Sequence, residues 1–320
     1  MFSEPVLGSR TSPYLQSKLV LLGCRHVFGQ VPALVESLLG IEVNTSQVYR
    51  TCQTAAFVAD QAVLDEPSEQ LGKQLNTSEL IVYGMIDGSM LLTEKGWQET
   101  KVGRVFEAQL AESTAEEPQQ WELSASEYVA HRGNYEAFTQ KFEQLFPAAS
   151  ACRKVFVTDG AGWIGNWLKE TYPEATHILD YYHLKEKLAI AAQAAAHPQE
   201  WLAQQENYLF EGKQQAVEGA VVALKELPDT IKKPIVNYLQ NNRYRTRYDL
   251  YQKEGLMISS GPVEAAHRTL LQVRMKRSGQ RWSEKGCDNM ILLRTAYLSG
   301  KFDLITDLFR QDDAFRQIAA

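Results

Sequence analysis

The sequence predicts an α/β protein: a mixed sheet with helices packed on its faces, an all-helical insertion, and a helical N-terminal region. Three observations predict it. Five short apolar or alternating runs lie between residues 79 and 180: ELIVYGMID, KVGRVFEAQL, SASEYVAHRG, VFVT and THIL. Runs of this length, bounded by turn residues, read as strands. Two segments of helical period, NYEAFTQKFEQLFP and WIGNWLKETYP, fall among the later strands, which gives the order β-β-β-α-β-α-β. Helical periodicity with no strand signal then fills 1–60 and 184–254.

Taken in order, residues 1–60 hold three helices, SPYLQSKLVLLGCRHV, VPALVESLLG and TSQVYRTCQTAAFVADQAV. Ser12 before Pro13 marks a start, Gly40 a stop, and Asn44, Thr45 and Ser46 are candidate caps. Helix, short turn, helix suits a helix-turn-helix DNA reader and equally any small helical bundle. The polar stretch 61–78, with Pro and Gly, reads as a linker. The first part of the α/β core is expected over 79–185, with 113–122 as a polar loop. The helical insertion follows over 186–255, the closing helices over 256–300, and a helical tail over 301–320. Ser259 or Ser260 with Pro262 starts the closing helix, and Glu264 falls in its first turn.

Bulk properties bound the function. The 320 residues are 44% hydrophobic and 22% charged, as a soluble globular chain of two or three domains would be. No apolar run is long enough to cross a bilayer, and the first residues lack the features of a signal peptide. The four cysteines show no metal-binding spacing, which suits reduced thiols in a cytoplasm. The net charge is −6, yet Lys232–Arg281 carries eleven Lys/Arg against three Asp/Glu. That is a basic segment in an acidic chain: a surface for nucleic acid, or only a solvated helical face.

Three carboxylates stand at informative places. Asp87 closes the first strand run, Asp159 the fourth, and Glu264 opens a helix after the insertion. Strands of one sheet can deliver both aspartates to one edge, and a packed helix can add the glutamate. Carboxylates so gathered repel unless cations neutralise them. Mg²⁺ or Mn²⁺ suit oxygen donors, and two such ions can run phosphodiester chemistry. Taken singly, each residue also has a plain reading: Asp-Gly as a turn, Glu264 as a partner for a helix dipole.

Four blocks together resemble bacterial insertion-sequence transposases with an RNase H-like core, and more narrowly the Mutator-related branch of ISKra-like and ISL-like elements. They are IDGS at 86–89, VTDGAGWI at 157–164, LDYYHLKEKL at 179–188, and GPVEAAHRTLLQVRMKRSGQRWSEKGCDNMILLRTA at 261–296. The likeness runs from about residue 10 to about residue 300, and the last block is its most specific part. It implies an RNase H-like mixed sheet, with Asp87, Asp159 and Glu264 as catalytic metal ligands for two Mg²⁺ or Mn²⁺ ions. It also implies an Asp-x-x-His element at Asp180–His183, with His183 either donating to phosphate or capping the strand-to-helix junction. Asp180 rivals Asp159 for the second ligand place, and strand order favours Asp159.

The resemblance further implies DNA cleavage at element ends and strand transfer, by a homo-oligomer holding terminal repeats and target DNA in a bacterial cytoplasm, at the nucleoid. On that reading Arg268, Arg274, Lys276, Arg277 and Arg281 neutralise phosphates. Arg243, Arg245 and Arg247, interleaved with tyrosines, combine phosphate contact with stacking. Trp163 and Trp282 read as core. Two other readings remain: an RNase H-like nuclease without strand transfer, and a truncated or domesticated transposase that only binds DNA. Relatives of this kind carry a longer N-terminal region, so the chain is expected to start within it.

Overall fold

The computed structural model describes residues 11–59, 81–110, 121–146 and 153–309. The expected linker, most of the polar loop and the C-terminal tail from residue 310 lie outside them. The described chain is a mixed α/β assembly around one five-stranded sheet.

The strands are β1 (Ile81–Thr93), β2 (Gly96–Leu110), β3 (Trp121–Arg132), β4 (Arg153–Thr158) and β5 (Thr176–Leu179). Their order is β3-β2-β1-β4-β5. The first three form an antiparallel meander, and β4 and β5 add parallel to β1. Parallel neighbours need crossovers. These are supplied by α4 (Tyr135–Leu145) before β4 and α5 (Gly162–Thr171) between β4 and β5.

Alternation along β1 sends side chains to two cores. Val82 and Ile86 face an aromatic layer of Phe138, Phe142, Phe146, Phe156 and Trp167. Tyr83, Met85 and Leu91 face the main core, which the later helices cover. The aromatic layer requires two glycines. A Cβ on Gly84 would stand 2.6 Å from the Phe156 ring, and one on Gly103 2.5 Å from the Phe142 ring. Both are below any normal carbon contact.

After β5 the chain is helical: α6 (Tyr181–Ala192), α7 (Pro198–Phe210), α8 (Gln214–Ala223), α9 (Asp229–Asn242) and α10 (Tyr248–Lys253). The closing block is α11 (Gly261–His267), a π-helical stretch Arg268–Gln272 and a last turn Val273–Met275. Then come α12 (Glu284–Leu298) and α13 (Phe302–Leu308).

The N-terminal helices are α1 (Pro13–Arg25), α2 (Val31–Leu39) and α3 (Thr45–Val58). Ser12 caps α1 and Asn44 caps α3 through their side chains, while Gly40 ends α2 in the left-handed region. These helices share a core with Leu293, Ala296, Ile305 and Phe309 of the C-terminal helices, so the N-terminal helices pack against the end of the described chain. Two buried arginines reinforce the joint. Arg274 donates to the Gly23 carbonyl at 2.9 Å, and Arg294 donates to the Cys24 carbonyl. No described helix is long and apolar enough to cross a membrane. Cys24, Cys52 and Cys287 are buried free thiols.

One expected boundary needs correction. Asp87 does not end its strand. β1 continues to Thr93, paired with β2 throughout. What stops at Ile86 is the pairing with β4. An Asp-Gly pair suits a turn locally, but the hairpin partner carries the strand through it.

Candidate functional site

Register builds the site. Ile86 pairs with Thr158, and Thr158 pairs with Leu179, in parallel ladders. The next residue on each strand is therefore at one level: Asp87, Asp159 and Asp180. Parallel pairing with no offset makes this a row of three aspartates at one level of the sheet, where the β1–β4 and β4–β5 ladders stop.

The three are not equivalent. Asp87 is half-buried, and its Oδ1 accepts from the Gly88 N–H at 2.7 Å. Asp159 is also half-buried. Its Oδ1 accepts from the Ala161 N–H at 2.9 Å, closing a turn in which Gly160 takes φ +84°. Only glycine adopts that angle without strain. Asp180 is fully buried and caps α6. Oδ1 accepts from the Tyr182 N–H at 2.9 Å, and Oδ2 accepts from His183 Nδ1–H at 2.6 Å and from the Ser260 hydroxyl. Burial alone would raise the Asp180 pKa, but the hydrogen bonds from His183, Ser260 and the Tyr182 amide outweigh it and hold the carboxyl below the usual range.

Asp180 in turn governs His183. The hydrogen bond to Asp180 pushes the His183 pKa up to about 9 against the cost of desolvation, and the charges of Asp180, Asp159 and Asp87 add to it. An imidazolium at neutral pH thus stands within the field of all three aspartates. Its side chain is about one-third exposed, so it is reachable from solvent.

Glu264 is exposed on α11, near the carboxylate row. Its Oε1 lies 3.3 Å from the Ser260 hydroxyl. One hydroxyl proton cannot serve both carboxylates, and the shorter contact is with Asp180. Two adjoining clefts meet at Asp87, Gly88 and Ser89. One is walled by Asp159, Trp163, Lys101 and Lys276. The other is walled by Glu264, His267, Arg268 and Gln272. Asp87 thus lines both clefts of this trough, with Asp159 on one and Glu264 on the other. Among the described residues, no three His, Cys, Asp or Glu side chains are gathered tightly enough to form a ready-made metal cluster. The donor set is nonetheless all carboxylate oxygen, which fits Mg²⁺ or Mn²⁺ in chemistry.

The helical insertion braces the row from behind. Tyr238 of α9 donates its hydroxyl to the Asp159 carbonyl at 2.6 Å. Thr158 Oγ1 lies 2.9 Å from His177 Nε2, and Arg245 Nη1 lies 3.3 Å from the same nitrogen. Burial, followed by the Arg245 charge, lowers the His177 pKa to about 3, so that ring is neutral.

The basic residues divide sharply. Arg268, Lys276 and Arg277 are exposed, and the first two line the trough. Lys276 also donates to the Ser89 hydroxyl, which places its charge beside Asp87. Arg281 is exposed, but its guanidinium donates to the carbonyls of Thr93 and Glu94 and pins the β1–β2 hairpin.

Arg274 is a correction. It is fully buried, stacked between Phe28 and Trp282 with ring centroids at 4.6 and 5.2 Å, and no phosphate can reach it there. Arg243 pairs with Glu218 at 2.7 Å, Arg247 is bidentate on Asp249, and Arg245 is half-buried against His177. The insertion arginines are thus occupied within the protein. Trp282 is core, as read, with its Nε1–H on the Met275 carbonyl at 3.0 Å. Trp163 is half-buried against Tyr135.

Sequence reasoning missed three contributors: His267, Ser260 as a partner of Asp180, and Tyr238. Only His267 carried a readable signal. It lies three residues after Glu264, on the same helical face. No protein-family model matches this chain, and no curated protein is significantly similar to it.

Proposed function

We propose that this chain is a transposase of the Asp-Asp-Glu type with an RNase H-like core, cleaving DNA at element ends and joining the freed end to target DNA. The observation that carries the reading is the in-register placement of Asp87 and Asp159 on neighbouring parallel strands, with Glu264 on a helix over the same trough. The strand order, an antiparallel meander extended by two parallel strands, supports the RNase H-like assignment.

Asp87, Asp159 and Glu264 would hold Mg²⁺ or Mn²⁺, which supplies charge neutralisation at the phosphate. The chain's own residues do the rest. Lys276 and Arg268 bind backbone phosphates along the trough and fix the strand's path. His183, kept protonated by Asp180, donates a hydrogen bond to a phosphate oxygen. In the first step water attacks phosphorus, the P–O3′ bond breaks, and the 3′-oxygen leaves with a proton. In the second, that 3′-hydroxyl attacks a target phosphodiester and displaces its 3′-oxygen. Both are in-line displacements, so one pre-organised site serves both.

The N-terminal helices are suited to reading the element ends, with Tyr49 and Arg50 of α3 exposed. The deciding experiment is metal-dependent cleavage of the gene's own flanking DNA. Cleavage with transfer of the cut end supports the transposase. Cleavage without transfer points to a nuclease, and binding without cleavage to a DNA-binding protein only.

A further inference from the structure

His267 is used by nothing described so far, yet it is a deeply buried side chain at the trough. It is the last residue of α11 and only 5% exposed. Its Nε2 lies 3.3 Å from Asp87 Oδ2. The geometry falls short of a formed hydrogen bond, and among the described residues Nε2 has no other hydrogen-bond partner. A buried ring nitrogen without a partner is costly, and Asp87 is the acceptor within reach. An ionised carboxylate oxygen cannot donate, so a hydrogen bond between the two atoms requires the hydrogen on Nε2.

The helix that carries His267 is clamped at both ends. At its start, Arg104 of β2 donates to the Pro262 carbonyl at 3.1 Å. Just beyond its end the backbone passes into the π-helical stretch Arg268–Gln272. Arg294 donates to the Thr269 and Leu270 carbonyls there while also holding Cys24. Such stretches recur at functional sites, where they re-aim side chains. Here the widened turn follows His267 directly, and its loosened carbonyls are taken up by a buried cation.

We propose that His267 is a positioning residue for Asp87: its Nε2–H engages Oδ2 and sets the rotamer of that carboxylate. An ionised carboxylate offers about four acceptor positions. The Gly88 amide takes one and His267 a second, which leaves the remainder directed at the trough. Glu264 and His267, three residues apart on one helix, both line the cleft beside Asp87. The consequence for an ion at Asp87 rests on the function proposed above; the His267–Asp87 contact does not.

Two measurements on the full chain test this and keep the two apart. The first is nitrogen-15 NMR of the histidine rings, wild type against Asp87→Asn, with the His267 signal assigned by its loss in His267→Gln. A protonated Nε2 whose signal moves in Asp87→Asn is expected. An Nε2 without hydrogen, or one indifferent to Asp87, overturns the proposal whatever the protein does to DNA. The second is Mn²⁺ binding followed by electron paramagnetic resonance. His267→Ala is expected to bind about 10- to 100-fold more weakly, as when an outer partner of a metal ligand is removed. His267→Gln, whose amide nitrogen reaches the Nε2 position, should recover most of the affinity, and His267→Asn should not. If the Ala chain does not fold, the Gln–Asn contrast decides. Equal affinity in the folded variants overturns the proposal. A wild type that binds no Mn²⁺ overturns the metal-dependent reading instead, and the ring NMR then decides the His267–Asp87 pairing alone.

Discussion

Asp159 and Asp180 end adjacent strands at the same level, two residues of one type placed by one ladder. Yet one is half-buried on a trough and the other is sealed in the protein with three hydrogen-bond donors around it. Register decides where a side chain starts, and its partners decide what it is free to do. A carboxylate that already accepts from an amide, an imidazolium and a hydroxyl has little capacity left for an ion. It serves instead to hold His183 charged and oriented, in the way a carboxylate orients a histidine in many sites. Of the two aspartates, hydrogen bonding leaves Asp159 the more open one.

The sharpest way to break this comparison is cleavage activity. Asp159→Asn and Asp87→Asn are expected to lower the DNA cleavage rate by at least about 10²–10³-fold, with DNA binding retained. Asp180→Asn should leave measurable cleavage. The reverse ranking would return the second ligand place to Asp180.

Stability should separate the pair the other way. Removing Asp180 strips His183 and Ser260 of a charged, buried acceptor. Asp180→Ala is therefore expected to lose about 1.5–3 kcal/mol of stability in chemical denaturation. Asp159→Ala should lose clearly less, because among the described residues its side chain accepts only the local Ala161 amide. A larger loss at Asp159 would contradict the assignment of Asp180 as the structural member.

A parallel contrast holds for the cations. Lys276→Ala should lower the slope of log affinity against log salt by about 0.9 for duplex DNA. Arg247→Ala should leave the slope unchanged, since that guanidinium is committed to Asp249. Equal effects in fluorescence-anisotropy titrations would mean that the insertion arginines leave their partners for DNA.

The smallest expected effect is on pH. His183 sits at about 9 in the folded chain against about 6.5 for a free imidazole. The folded state holds its proton more tightly, so the stabilisation is complete below about 6.5 and is lost as pH rises through 9. Thermal melts should show a decline between those values that is absent in His183→Gln. An identical decline in the variant would assign the pH dependence to another group.

Much of this was legible in the chain. The strand runs, their order and the helical insertion follow from short apolar segments against long helical periods. That Asp87 and Asp159 fall at one level of the sheet, with Glu264 on a helix nearby, could be read from their positions relative to those segments. Other features were not. β1 runs six residues past Asp87 because a hairpin partner supports it, and an Asp-Gly pair reads locally as a turn. Arg274 reads as one more cation in a basic run, but its environment of Phe28 and Trp282 is assembled from residues far away in sequence. Tyr238 lies 79 residues from the carbonyl it holds, and no local pattern marks such a pair.

What the sequence by itself determined is the set of elements and the presence of carboxylates at their junctions, because periodicity and turn chemistry are local. What only the tertiary structure decided is which carboxylate is open, which is satisfied, and which arginines keep a free charge. Those depend on burial and on hydrogen-bond partners brought together by the sheet register and the packing of the closing helices, and neither is encoded within reach of any single segment.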